Sequence, residues 1–187
     1  MSAFLLTSPA SEPLTLDEAK QFLRVEHDDD DALIASLIVA ARTQVETVAR
    51  CALIAQTWRF VRDAWPVEGR IVLKRGPLLS VAAARVFDGE NESLSVDVDE
   101  FVIDRAGAVI AFPPWALPHP GRYAAGIEID VVLGFGEATA HVPEPLRQAV
   151  RMLLAHWYEN RGLGGEDGGN VPPGFAALLA HYRPVSL

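Results

Sequence analysis

Apolar residues recur at helical spacing near both ends of the chain and alternate with polar ones through its middle. Leu16, Ala19 and Leu23 stand at i, i+3 and i+7 with Phe22 beside them, which predicts a short helix ending near Val25. Thr15-Leu16-Asp17-Glu18 opens it as a capping box, the Thr15 hydroxyl accepting from the Glu18 amide and the carboxylate reaching back. A longer helix follows from about residue 30 to 50. Leu33, Leu37, Ala41, Val45 and Val48 mark its expected buried stripe, widened by Ile34 and Ile38. From about residue 54 to 136 the period changes to two. Strands are predicted at 56–61, 70–74, 80–87, 101–104 and 108–112, with turns at Asp88-Gly89-Glu90-Asn91 and Arg105-Ala106-Gly107. Ile127, Ile129, Val131, Leu133 and Phe135 alternate cleanly against Glu128 and Asp130. Pro143 and Pro145 then open a helix with Leu146, Ala149 or Val150, Leu153, Leu154 and Trp157 on its buried face, and Gly162 stops it. A last short helix is expected over 174–182, with Phe175, Leu178 and Leu179 as its apolar side and Pro184 after it.

The order predicts an α+β fold. Residues 1–53 and 137–187 supply helices packed together as a small bundle, and residues 54–136 an inserted antiparallel β-sheet or small barrel. Residues 162–170, rich in glycine, are read as a flexible loop. Composition agrees with a globular chain: half the residues are hydrophobic and 22% charged. The single cysteine, Cys51, precludes an internal disulfide framework and fits a reducing compartment. No basic leader is visible at the start, and no apolar run comes close to the roughly 20 residues of a membrane helix, so a soluble protein made in the cytoplasm is expected. Sixteen basic against 25 acidic residues give a net charge of −9, which disfavours generic binding to phosphate backbones. Arginine outnumbers lysine fourteen to two, as fits either arginine-rich interfaces or a GC-rich genome.

Candidate chemistry is sparse. His27, His119, His141, His156 and His181 are scattered without metal-ligand spacing. The run Asp28-Asp29-Asp30-Asp31 lacks the alternation and glycine of a calcium loop and leads into a helix, where acids cap free amides and meet the dipole. Gly134-Phe135-Gly136 lacks the remaining glycine and the lysine of phosphate loops, Asp97 and Asp99 are expected to face solvent, and no nucleophile elbow is present. No catalytic residue, metal site or cofactor is assigned. On the residues alone, a soluble homo-oligomeric assembly protein unrelated to virions and a small-molecule-binding domain with a site not visible in sequence also stay open.

Three segments in order resemble the gp6-like head–tail connector (adaptor) family of tailed phages and gene transfer agents. They are Leu14 to Val25 with Ala32-Leu33-Ile34; Ala40-Ala41-Arg42 and Val45-Glu46 through to Gln56-Thr57-Trp58; and Gly134-Phe135-Gly136 with Val142 to Ala149, ending in Trp157-Tyr158-Glu159-Asn160-Arg161. The resemblance implies a non-enzymatic virion subunit at the particle neck. It would form a ring, normally of twelve copies, beneath the portal protein, and give a platform to a stopper or tail-completion protein. Genomic DNA would pass through without specific binding, and no membrane is involved. An acidic wall would let DNA slide without sticking. The expected portal or ring interface comprises Phe175, Leu178, Leu179, Tyr182 and Arg183 of the last segment, together with Trp115 in the proline-rich loop at 113–120. Deleting residues 171–187 is expected to abolish docking and leave the fold intact.

Overall fold

The computed structural model describes residues 2–160 and 171–182. The glycine-rich segment at 162–170 and Arg183 therefore lie outside the described residues. The chain divides into two compact units, each assembled from separated stretches of sequence: Met1–Ala10 with Ala55–Phe135, and Ser11–Ile54 with Gly136–Leu187.

The first unit is built of antiparallel strands. β1 (Ser2–Thr7), β2 (Gln56–Arg62), β4 (Leu78–Phe87), β5 (Ser93–Val96) and β8 (Ile127–Leu133) form a sheet in the order β1-β2-β8-β4-β5. β3 (Arg70–Val72), β6 (Val102–Asp104) and β7 (Val109–Ala111) form a second sheet in the order β3-β7-β6. Neither closes into a barrel, so of the two expected β architectures the open sheet is the one observed. Register explains the alternation along β8. Ile129 lies opposite Phe60 on β2 and Ala84 on β4, and all three side chains are buried. Asp130 belongs to the other face, opposite Arg59. Beside the small sheet, Trp65, Phe101 and Phe112 make an aromatic cluster, with Trp65 edge-on to Phe112 at 5.0 Å between ring centres.

Sequence periodicity missed β1 and β5. β1 is exposed along its whole length, so Phe4, Leu5 and Leu6 show no alternation, and the first ten residues join the sheet unit rather than the helices. β5, Ser-Leu-Ser-Val, is short and mostly exposed.

The second unit holds α1 (Leu16–Leu23), α2 (Asp31–Ala49), α3 (Glu144–Glu159) and the short α4 (Phe175–Leu179). α2 packs against α3, with α1 touching both and α4 laid mainly on α3. The capping box forms as expected: the Glu18 amide donates to Thr15 Oγ1 at 3.1 Å and the Thr15 amide to Glu18 Oε2 at 2.9 Å. Arg24 and Arg50, both left-handed, end α1 and α2. The buried stripe of α2 runs Ile34, Ile38, Ala41, Val45 and Ala49, while Leu33, Leu37 and Val48 are only half-buried. The stripe is rotated from the expected line because Arg42 and Glu46 are buried too, as an ion pair at 2.9 Å. Glu46 also accepts the Leu53 amide at 2.8 Å, and Glu12 meets Arg42 from the other side at 2.7 Å. By length (19 residues) and mean hydropathy (1.4 over an 18-residue window) α2 matches a membrane span, contrary to the reading of the sequence. Its apolar stripe faces α3, which makes it the core helix of this unit.

The acidic run before α2 works differently from the expected cap. Asp30 sits at the N-cap position but makes no side-chain capping bond, and instead accepts the Tyr158 hydroxyl at 2.6 Å. Asp28 and Asp31 hold the Lys20 ammonium at 2.6 and 2.7 Å. The acids fasten the α1–α2 turn to α1 and α3.

Candidate assembly surfaces

Among the described residues no group of histidine, cysteine, aspartate or glutamate side chains could hold a metal ion. His141 is spent locally: its Nδ1 accepts the Ala138 amide at 3.2 Å. His156 lies beside the Asn160 side chain, and Cys51 is buried. The perturbed carboxyls belong to ion-paired scaffolding. Hydrogen bonds from Arg59, then Arg85, hold Asp130 below the usual carboxylate range against the opposing effect of burial. Glu18 is lowered by the Thr15 amide and by Arg147, and Glu144 by Arg151 and Arg147.

What remains is surface. Of the twelve large apolar side chains exposed among the described residues, nine belong to the sheet unit: Phe4, Leu5 and Leu6 on β1, Val72 and Leu94 on β3 and β5, Val102 on β6, and Val67, Trp115 and Tyr123 in loops. Trp115 is 85% exposed and Tyr123 fully so. The loops that carry them are pinned. Trp65 Nε1 donates to the Pro118 carbonyl at 3.0 Å, and the Phe112 amide to the Gly69 carbonyl at 2.9 Å. Gly69 has positive φ, and any Cβ there would collide with the Phe112 carbonyl and Pro114. On the Tyr123 side, Arg122 lies over the Phe87 ring at 4.0 Å and binds Asn91, while the Ala125 amide donates to Asp63 at 2.8 Å. An exposed aromatic on a fixed loop loses little freedom on binding. Sequence reading singled out Trp115 and passed over Tyr123, although an aromatic in a glycine-flanked loop carries the same signal.

The C-terminal residues are placed otherwise. Phe175 and Leu179 are buried within the helical unit, at 2% and 0% exposure, and Leu178 and Tyr182 are half-buried. Trp115 is thus the one fully presented member of the predicted interface set, and Arg183 lies outside the described residues. Removing 171–187 would uncover the α3 surface that Phe175 and Leu179 seal, so such a truncation is not neutral to the fold as expected.

Comparison with known proteins agrees with a scaffold of this kind. Residues 13–95 match the family model of the phage gp6-like head-tail connector protein. Over its whole length the chain is similar, at 28% identity and a TM-score of 0.85, to a chain from the neck of an empty GTA particle computed with C6 symmetry, covering 97% of that chain. It is similar at 26% identity and a TM-score of 0.83 to a chain of the virion of a native gene transfer agent (GTA) particle. A chain from the neck of a native GTA particle computed with C12 symmetry matches at 26% identity and a TM-score of 0.80, and 97% of each of these two chains is covered. No curated protein matches. Residues 13–95, less than half of the chain, thus carry the pattern of the phage gp6-like head-tail connector family, and the whole chain has the fold of GTA neck chains.

Proposed function

We propose that this chain is the adaptor subunit of a tailed phage or gene transfer agent. In this reading it forms a ring, normally of twelve copies, beneath the portal and joins the DNA-filled head to the stopper or tail. The observation that carries it is the end-to-end similarity to a GTA neck chain, TM-score 0.85 with the whole chain covered. A related neck computed with C12 symmetry supports twelve copies. The work of such a subunit is binding and geometry without covalent chemistry, and a net charge of −9 suits a wall past which DNA slides.

Trp115, on its pinned loop, and the last segment, with Phe175, Leu178, Leu179, Tyr182 and Arg183, are the proposed portal or ring contacts. Because Phe175 and Leu179 are buried, docking through that segment uses its outward residues or requires the short α4 to leave α3. The direct test mixes the purified chain with portal rings from the same genome and images them by negative-stain electron microscopy. A collar added below the portal with matching symmetry is the expected result. Bare portals at high protein concentration would overturn the reading.

A further inference from the structure

Two edge strands of the sheet unit carry surfaces that fit each other. β5 ends the larger sheet and β3 the smaller. Beside β5 lies a shallow groove of about 450 Å³, lined by Leu94, Ser95, Val96, Asp97, Glu100 and the 116–118 loop. Successive strand residues point to opposite faces. Four consecutive lining residues therefore mean that the groove follows the unpaired edge of β5 and its exit. Leu94, Val96 and Leu117 make it apolar, and Asp97 and Glu100 give it an acidic rim. Between Asp88 and Asp104 the chain has seven acids and no base. Asp97 and Glu100 enter no ion pair among the described residues.

β3 and its exit supply the counterpart. Ile71 and Leu73 are buried while Arg70, Val72 and Lys74 are exposed, which gives a basic–apolar–basic stripe on an unpaired edge strand. Register places the stripe on the face of the small sheet opposite Ile71 and Ile110. Phe112, two residues beyond Ile110, belongs to that buried side with Trp65, and Trp65 holds the groove wall through the Pro118 carbonyl. Stripe and groove are thus separate surfaces carried by different sheets, each open to a second copy.

We propose that the Arg70–Val72–Lys74 edge of one copy seats in the β5 groove of the next. Val72 meets the apolar lining, and the two cations face Asp97 and Glu100. The contact joins two different surfaces, so it repeats head to tail and closes a ring when the rotation per step divides the circle. It rests on the ring reading given above and adds the residues that make the ring.

The test uses two full-length charge reversals at exposed sites, R70E/K74E and D97K/E100K, each checked by thermal melting to be folded. Each is compared with wild type by sedimentation velocity, alone and with portal rings imaged by electron microscopy. The expected result is at least about a tenfold loss of self-association and of collars for each variant alone, since like charges then face each other. An equimolar mixture should recover assembly, because each variant's stripe then opposes the other's groove, and an even-numbered ring accommodates strict alternation. Collars formed by either variant alone at wild-type levels would overturn the contact and leave the adaptor reading standing. A mixture that stays unassembled would overturn it too. Wild type that joins neither itself nor portals would overturn both.

Discussion

Arg59 grips Asp130 across β2 and β8 with two parallel hydrogen bonds, Nε to Oδ1 at 2.6 Å and Nη2 to Oδ2 at 2.8 Å. Arg85 on β4 adds a third at 2.9 Å, and Arg59 also reaches Glu128 at 3.0 Å. Three neighbouring strands are thereby locked in register by fixed donor geometry. Asp130 is 5% exposed, so removing its charge leaves two arginines with only Glu128 between them. Asp130→Asn should destabilise the chain by about 2 kcal/mol. Denaturant unfolding, with the midpoint shifted and the slope unchanged, is the check.

The same group sets an acid limit. Its pKa is lowered in the folded state, as are those of Glu18 and Glu144. A depressed carboxyl adds stability above its unfolded pKa, near 4, and loses it as pH falls through the folded value. Wild type should therefore lose stability below about pH 4. The gap to Asp130→Asn should narrow over the same interval in melts recorded from pH 7 to 2.5. A gap that stays constant would mean the pair does not depend on the carboxylate charge.

In the helical unit the corresponding pivot is Glu46, which holds both Arg42 and the Leu53 amide while 4% exposed. Glu46→Ala leaves the buried Arg42 with Glu12 alone and strands the buried Leu53 amide, and should cost about 3 kcal/mol. Thr15→Ala, which removes only the exposed cap of α1, should cost about 1 kcal/mol. Finding the two equal in thermal melts would contradict this ranking.

Trp115→Ala and Phe175→Ala separate docking from folding. Trp115 is exposed, so its loss should leave stability within about 0.5 kcal/mol and still reduce collar formation on portals. Phe175 is fully buried, so its truncation should cost about 3 kcal/mol or more. A Trp115 variant that docks like wild type removes that loop from the interface.

Much of the fold was legible because one-sided burial writes a period into sequence. β8 alternates because Ile127, Ile129, Val131 and Leu133 share one buried face while Glu128 and Asp130 lie on the other, and the Thr15–Glu18 cap is a purely local motif. What was not legible depends on partners far away in sequence. The stripe of α2 turns toward Arg42 and Glu46 because Glu12 and the Leu53 amide satisfy them. Asp30 serves Tyr158, 128 residues on, instead of its own helix. β1 has no buried face, and periodicity cannot report a strand defined only by its neighbour. For the candidate surfaces, composition marked Trp115 as aromatic and loop-borne. Whether Phe175 points inward is decided by α3 and, to a lesser extent, α2, both distant in sequence from the local pattern.

β1 also leaves the ribosome before every other described strand, and its partner among them, β2, begins at Gln56. At translation rates of about 5–20 residues per second, an uncharged Ala-Phe-Leu-Leu segment waits unpaired for about 3–10 s. The sheet cannot be completed until β8 is made, some 120 residues after β1 by the residue numbers of the two strands. Vectorial synthesis therefore builds the first two helices before the sheet has a second strand. The interval is a window for chaperone capture, and slowing translation between Thr7 and Gln56 should raise the aggregated fraction of newly made chain.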